Sequence, residues 1–124
     1  QAPTPVQTTT PKGVTLRPRK PVMNMTATVH ADGRCCVPRS SIEALLHETG
    51  ASLKGGDPMY VTVASDEATI SLDNVPGSQS YSIWASTGRV YFPRPSNPFV
   101  PGTAFRIRVH GSDRCLTVDI SKAV

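Results

Sequence analysis

The sequence has no long hydrophobic run and few aromatic residues. Aromatic side chains make up 6% of the 124 residues, and no apolar stretch approaches the roughly 20 residues that a transmembrane helix needs. The first residues, QAPTPVQTTTP, show neither the charged start nor the apolar middle of a signal peptide. We therefore expect a soluble protein with one hydrophobic core and no membrane partner.

Patterns of catalytic and metal-binding residues are also missing. The three histidines are scattered, no Ser, His and Asp grouping stands at a recognisable spacing, and there is no glycine-rich phosphate loop. Cys35, Cys36 and Cys115 lack the CxxC or HxxxH spacing of metal sites. We predict a noncatalytic protein without cofactor or metal, and interpret the cysteines as reduced apolar residues. A bridge from Cys115 to one of the pair, or to a neighbouring chain, is the alternative.

Acidic residues are fewer than basic ones. Thirteen Lys and Arg against nine Asp and Glu give a net charge of +4. So modest an excess favours an anionic partner without requiring one.

Residues 1–21 differ in composition from the rest of the chain. They contain five of the twelve prolines and neither an aromatic nor an acidic residue, so they cannot pack on themselves, and we predict an extended arm. Its cations, Lys12, Arg17, Arg19 and Lys20, are candidates for partner binding. Such an arm needs a surface to order it. That surface belongs either to a partner or to the protein's own barrel.

The remaining residues, 22–124, read as strands joined by short turns, and one frame occurs twice. Residues 33–39 are GRCCVPR and residues 88–94 are GRVYFPR. We predict a single all-β domain, an eight-stranded pseudo-twofold barrel of two four-stranded repeats at 22–74 and 78–121. The first repeat has one short helix, SSIEALLHETG, which Ser40 or Ser41 caps and Gly50 ends. In the second repeat, the prolines of PSNPFVP exclude a helix.

The first repeat resembles a known family. The stretch TVHADGRCCVPRSSIEALLHETGASLKGGDPMYVTVASDEATISL, residues 28–72, is similar to the swapped-hairpin barrels of the AbrB, MazE and SpoVT type, and residues 81–118 are more loosely similar. In that family two short chains combine into one barrel, and the resemblance implies that one chain here holds both halves. It also implies DNA or anion contacts at the positions matching the family's arginines. These are Arg34, Arg39, Arg89 and Arg94.

Two functions agree with these features. The first is a noncatalytic structural subunit that docks through its arm onto proteins of a larger assembly, such as a virus or phage particle, where it would be a capsid decoration or similar virion protein. The alternative is an AbrB-like DNA-binding regulator in the cytoplasm. The aromatic residues of the second half, including Trp84 and Tyr91, are interpreted as barrel core and rim, with a base-stacking platform as the alternative.

Overall fold

Strands are the main regular secondary structure of the described residues. The computed structural model describes residues 14–94 and 96–124. Its elements in chain order are β1 Thr26–Val29, β2 Cys35–Val37, α1 Arg39–Thr49, β3 Pro58–Val63, β4 Glu67–Ser71, β5 Gln79–Ser82, β6 Val90–Phe92, β7 Ala104–His110 and β8 Cys115–Asp119.

The strands form one antiparallel sheet in the order β5-β3-β4-β8-β7-β1-β2-β6. The two ends of this order meet, because β5 and β6 are consecutive in the chain and the N–H of Trp84 donates to the Arg89 carbonyl at 2.8 Å. The sheet thus curls into a nearly closed barrel. The predicted all-β, eight-stranded barrel with one helix is confirmed.

Side chains that alternate along the strands fill the barrel. On β7, for example, Phe105 and Ile107 are buried while Arg106 and Arg108 face solvent, as the two-residue period of a strand requires. The helix adds three leucine and isoleucine side chains with no measurable exposure. They are Ile42, Leu45 and Leu46.

The ends of the helix were only half predictable. Gly50 ends it in a left-handed conformation, φ 75°, and its N–H donates to the Leu46 carbonyl, as predicted. The expected serine cap is wrong, because the N-cap is Pro38 and no side chain caps the helix. The helix begins at Arg39, two residues after β2 ends at Val37, so both serines lie within its first turn. The described residues after Arg94 contain no helix before β7, in agreement with the proline content.

The strand order is the same for both halves of the chain. If β1, β2, β3 and β4 are exchanged with β5, β6, β7 and β8 respectively, every strand of the closed ring keeps an equivalent pair of neighbours. Strands β2 and β6 pair with each other so that Cys36 lies opposite Tyr91, and these residues hold the same position in the two Gly-Arg frames. The pairing agrees with the predicted pseudo-twofold repeat, which stays a prediction.

Residues 14–21 of the predicted arm run over the barrel. The Val14 N–H donates to the Ala85 carbonyl at 2.8 Å and its carbonyl accepts from the Gly55 N–H at 2.8 Å. The Leu16 side chain is buried, and its backbone N–H donates to the Leu53 carbonyl at 3.2 Å. The described part of the arm is therefore ordered by its own barrel, and residues 1–13, with Lys12, lie outside the described residues.

Candidate functional site

The first arginines of the two frames lie on one surface. Tight turns precede both, and the glycine of each frame has a positive φ, 83° at Gly33 and 73° at Gly88. Because β2 pairs with β6, the returning strands bring Arg34 and Arg89 to the two sides of Tyr91. The Arg34 guanidinium carbon lies 5.0 Å from the centre of the Tyr91 ring, and the Tyr91 hydroxyl, as a hydrogen-bonding neighbour, raises the pKa of the Arg89 guanidinium.

Aromatic rings lie beneath these arginines. The centres of the Trp84 and Tyr91 rings are 4.6 Å apart, and His30 meets Tyr91 edge-on at 4.9 Å. Tyr91 is only 7% exposed, whereas Trp84 is 43% exposed. Arg34 also lies over Trp84, at 5.7 Å. Tyr91 is thus the packed centre of this aromatic cluster, and Trp84 is its solvent-exposed ring. Cation–π attraction to Arg34 stabilises the cluster.

The two arginines differ in their acidic neighbours. The Arg34 Nε is 2.7 Å from Asp32 Oδ2. The Arg34 backbone N–H, and then its side chain, hold the pKa of that carboxyl below its usual range because hydrogen bonds favour the ionised form. Among residues 14–94 and 96–124, no carboxylate lies within 4.0 Å of the Arg89 guanidinium. Arg89 therefore carries the less compensated charge.

Arg39 holds the arm in place through Glu43. The Glu43 residue is 2% exposed, and its carboxylate accepts from Arg39 Nε at 3.1 Å and from the Arg17 backbone N–H at 2.9 Å. Arg19 Nε lies 3.3 Å from the same carboxylate. A second bond runs from Arg39 to the Thr15 carbonyl at 3.0 Å. A buried carboxylate needs such partners, and here the arm supplies two of them.

Arg94 serves the connector that replaces the second helix. Its Nε donates to the Asn97 carbonyl at 2.7 Å, and its guanidinium carbon lies 4.3 Å from the centre of the Phe99 ring. We assign it a structural role. Of the four arginines matched to the family, the structure brings Arg34 and Arg89 together and uses Arg94 for packing.

Arg39 extends the exposed pair into a row. A side chain at Gly88 would lie 3.1 Å from the Arg39 Cδ, so Arg39 borders the turn that carries Arg89. We call this group of neighbouring arginine residues the arginine row; it consists of Arg34, Arg89, Arg39, Arg19 and Arg17, the last of which contacts Glu43 through its backbone N–H. Asp32 and Glu43 are the carboxylates bonded to it. Five positive and two negative charges leave three of the protein's net +4 here. Lys20 is exposed beside the row in sequence.

Sequence patterns named Trp84 only as one of several aromatic residues that could stack on bases, and they did not single out Glu43. Trp84 follows a strand, and at such a position the sequence pattern does not distinguish a residue on the rim of the barrel from one in its core. Glu43 had a usable signal, since it stands four residues after Arg39 on the helix. Its burial depends on the arm, which no local pattern places there.

The three cysteines are free and buried. Burial raises the pKa of the Cys36 thiol, while a hydrogen bond with Tyr91 and the charges of Arg89 and Arg34 act in the opposite direction. Burial also raises the pKa of Cys35, to about 12. Within the described ranges, no three His, Cys, Asp or Glu side chains converge as metal ligands.

Comparisons with models of protein families, with curated proteins and with solved structures find no match. No helix in the described part of the chain is long and apolar enough to cross a membrane.

Proposed function

We propose that this protein binds nucleic acid through the arginine row and catalyses no reaction. The observation that carries the proposal is the concentration of charge, because three of the four net positive charges belong to the residues of this row. Phosphate groups are the anions that arrays of arginine bind best, through bidentate hydrogen bonds. The rest of the barrel, being nearly neutral, would not compete for them.

The resemblance to AbrB-type barrels supports duplex DNA as one ligand. In that family, positions matching Arg34 and Arg89 contact DNA, and both face outwards on the same surface in this chain. The two halves also share backbone bonds that close these turns. The backbone N–H of His30 donates to the Arg34 carbonyl at 3.0 Å, and the backbone N–H of Trp84 donates to the Arg89 carbonyl at 2.8 Å. We infer that the halves are related by a pseudo-twofold axis between Cys36 and Tyr91, which would present Arg34 and Arg89 to a ligand as a pair.

The test is fluorescence anisotropy of labelled, mixed-sequence DNA, titrated from low to physiological salt. We expect the logarithm of the affinity to fall linearly with the logarithm of the salt concentration. The double variant Arg34→Gln with Arg89→Gln should bind more weakly and make this slope shallower by about 2, since each lost phosphate contact removes about 0.9.

The matched control is Arg106→Gln with Arg108→Gln. These arginines are exposed on β7 and lie outside the arginine row, so this variant loses the same charge from another surface. Equal weakening in the two double variants would show that binding follows total charge alone and would contradict the proposal. So would the absence of any binding at low salt.

A second candidate is docking through the arm into a larger assembly, a virus or phage particle in particular. The favouring observation is that Glu43 and the Gly55 N–H fix residues 14–19 beside the β5–β6 turn, which gives the preceding residues a defined point of attachment. Charge reversal at Lys12 and Lys20 should then abolish co-sedimentation with the assembly, while reversal at Lys122 should not. Equal co-sedimentation of both would contradict this candidate.

A further inference from the structure

Trp84 is the single tryptophan of the chain, and it is the one aromatic residue among the large hydrophobic side chains exposed in residues 14–94 and 96–124. At 43% exposure it offers part of its ring to solvent. A lone exposed apolar residue needs no explanation by itself. The surroundings of this one make it unusual.

The ring is held in place before any ligand arrives. The backbone of Trp84 is fixed, because its backbone N–H donates to the Arg89 carbonyl and its carbonyl accepts from the Gly88 backbone N–H, both at 2.8 Å. Its side chain packs against Tyr91 with an angle of 45° between the rings, and Tyr91 is in turn contacted edge-on by His30. A ring fixed in this way loses little conformational entropy when it binds.

Positive charge lies next to the ring. The Arg34 guanidinium carbon is 5.7 Å from its centre, and Arg89 is joined to Trp84 through the backbone. The site therefore offers an aromatic surface and phosphate-binding groups together, which is the combination that binds single-stranded nucleic acid.

We propose that Trp84 stacks on a nucleobase, so that the preferred ligand of the arginine row is a nucleic acid with unpaired bases. This inference rests on the proposed function and specifies its substrate class. Bases inside a duplex are stacked on each other and offer no free face, and parting them has a cost of its own. An unpaired base meets the ring without that cost.

The experiment compares three labelled probes with equal numbers of phosphates. One is a single-stranded oligodeoxynucleotide, the second is a duplex half as long, and the third is a strand of the full length with abasic residues throughout. We expect the single strand to bind about 10-fold more tightly than the abasic strand, because a base stacked on an aromatic ring contributes on the order of 1–3 kcal/mol. Since Trp84 is the single tryptophan, its fluorescence should be quenched by the single strand and not by the abasic strand.

Two substitutions separate stacking from charge. Trp84→Ala should bring the affinity for the single strand down to that for the abasic strand, while Trp84→Phe keeps a ring and should retain most of the preference. Circular dichroism and urea denaturation check that both variants fold.

The results distinguish the two levels of the proposal. Equal affinity for all three probes, with no effect of Trp84→Ala and no quenching, would overturn the stacking inference and leave nucleic-acid binding intact. Tighter binding of the duplex than of the single strand would overturn it as well. Failure of every probe to bind at low salt would overturn both.

Discussion

The two Gly-Arg frames have the same sequence pattern, yet their second arginines, Arg39 and Arg94, have different structural roles. Arg39 begins a helix and bonds to Glu43, which fixes the arm. Arg94 precedes a proline-containing connector, bonds to the Asn97 carbonyl and covers Phe99. The first arginines, Arg34 and Arg89, lie on one outer surface. The frame thus sets where its first arginine lies, and the connector decides the role of its second.

The first arginines also differ in a way that the turn explains. Asp32 stands two residues before Arg34 and bonds to its guanidinium. The second turn has Thr87 two residues before Arg89, and its hydroxyl accepts from the Arg89 backbone N–H. The carboxylate of Asp32 compensates the charge of Arg34, whereas the hydroxyl of Thr87 leaves the charge of Arg89 uncompensated. One turn residue therefore changes the charge presented at otherwise similar sites.

The largest difference in stability between the two frames should come from substitution of their glycines. Gly33→Ala places a side chain at positive φ with only the Phe99 carbonyl nearby, at 3.7 Å, and should destabilise the fold by roughly 1–2 kcal/mol. Gly88→Ala has the same backbone cost and also meets Leu16 at 2.9 Å and Arg39 at 3.1 Å. We expect it to cost about 1 kcal/mol more, because the contacted side-chain atoms must shift, as measured by urea denaturation.

Gly77→Ala is the control for the backbone effect, because Gly77 has φ 85° with no atom within 4 Å of an added side chain. Its loss of stability should match that of Gly33→Ala. If Gly88→Ala also matched them, the contact between the arm, Arg39 and the second turn would have no energetic weight.

A smaller effect should distinguish the second arginines. Arg39→Gln removes one of the bonds to the buried Glu43 carboxylate and the bond to Thr15, so the arm should loosen at a cost of roughly 1–2 kcal/mol. Hydrogen exchange followed by mass spectrometry should show faster exchange in residues 14–20. Arg94→Gln should leave exchange in that segment unchanged. Equal acceleration by both substitutions would contradict the separate roles.

Much of the barrel could be predicted from short-range patterns. The turns at Asp32-Gly33 and Thr87-Gly88 mark the hairpins, because glycine adopts the positive φ that they need. The apolar spacing of Ile42, Leu45 and Leu46 marks the helix. These signals act within a few residues and do not depend on what packs against them.

The candidate site was less predictable because its contacts join distant parts of the chain. Glu43 is separated from Arg17 by 26 residues, and helical periodicity alone places Glu43 about 100° around the helix from Ile42, beside the apolar stripe. The arm, which bonds to Glu43, completes its burial. Arg94 likewise could be assigned to packing only once the path of its connector was known. A long side chain on the rim of a barrel reaches several alternative partners.

The smallest effect at neutral pH should come from Cys35, which stands where the second frame has Val90. Burial, and then the neighbouring Cys36, raises the pKa of the Cys35 thiol from 9.0 to about 12. Between these values the unfolded chain has lost a proton that the folded chain keeps, so the stability present below pH 9 falls as the pH rises, by at most about 1.4 kcal/mol per pH unit. Cys35→Val should change stability by only about 1 kcal/mol at pH 7.5.

At pH 10.5 the same substitution should remove the loss of stability that ionisation of Cys35 in the unfolded chain causes. Urea denaturation in reducing buffer should show that the native chain loses about 2 kcal/mol more than the variant between pH 7.5 and pH 10.5, since one thiol titrates over about 1.5 pH units. Cys36 and Cys115, whose thiol pKa values are also raised by burial, remain in both chains and cancel in the difference. An identical loss in the two chains would mean that the Cys35 thiol ionises within the folded barrel. The first frame would then be open to solvent at the position where the second frame is packed with valine.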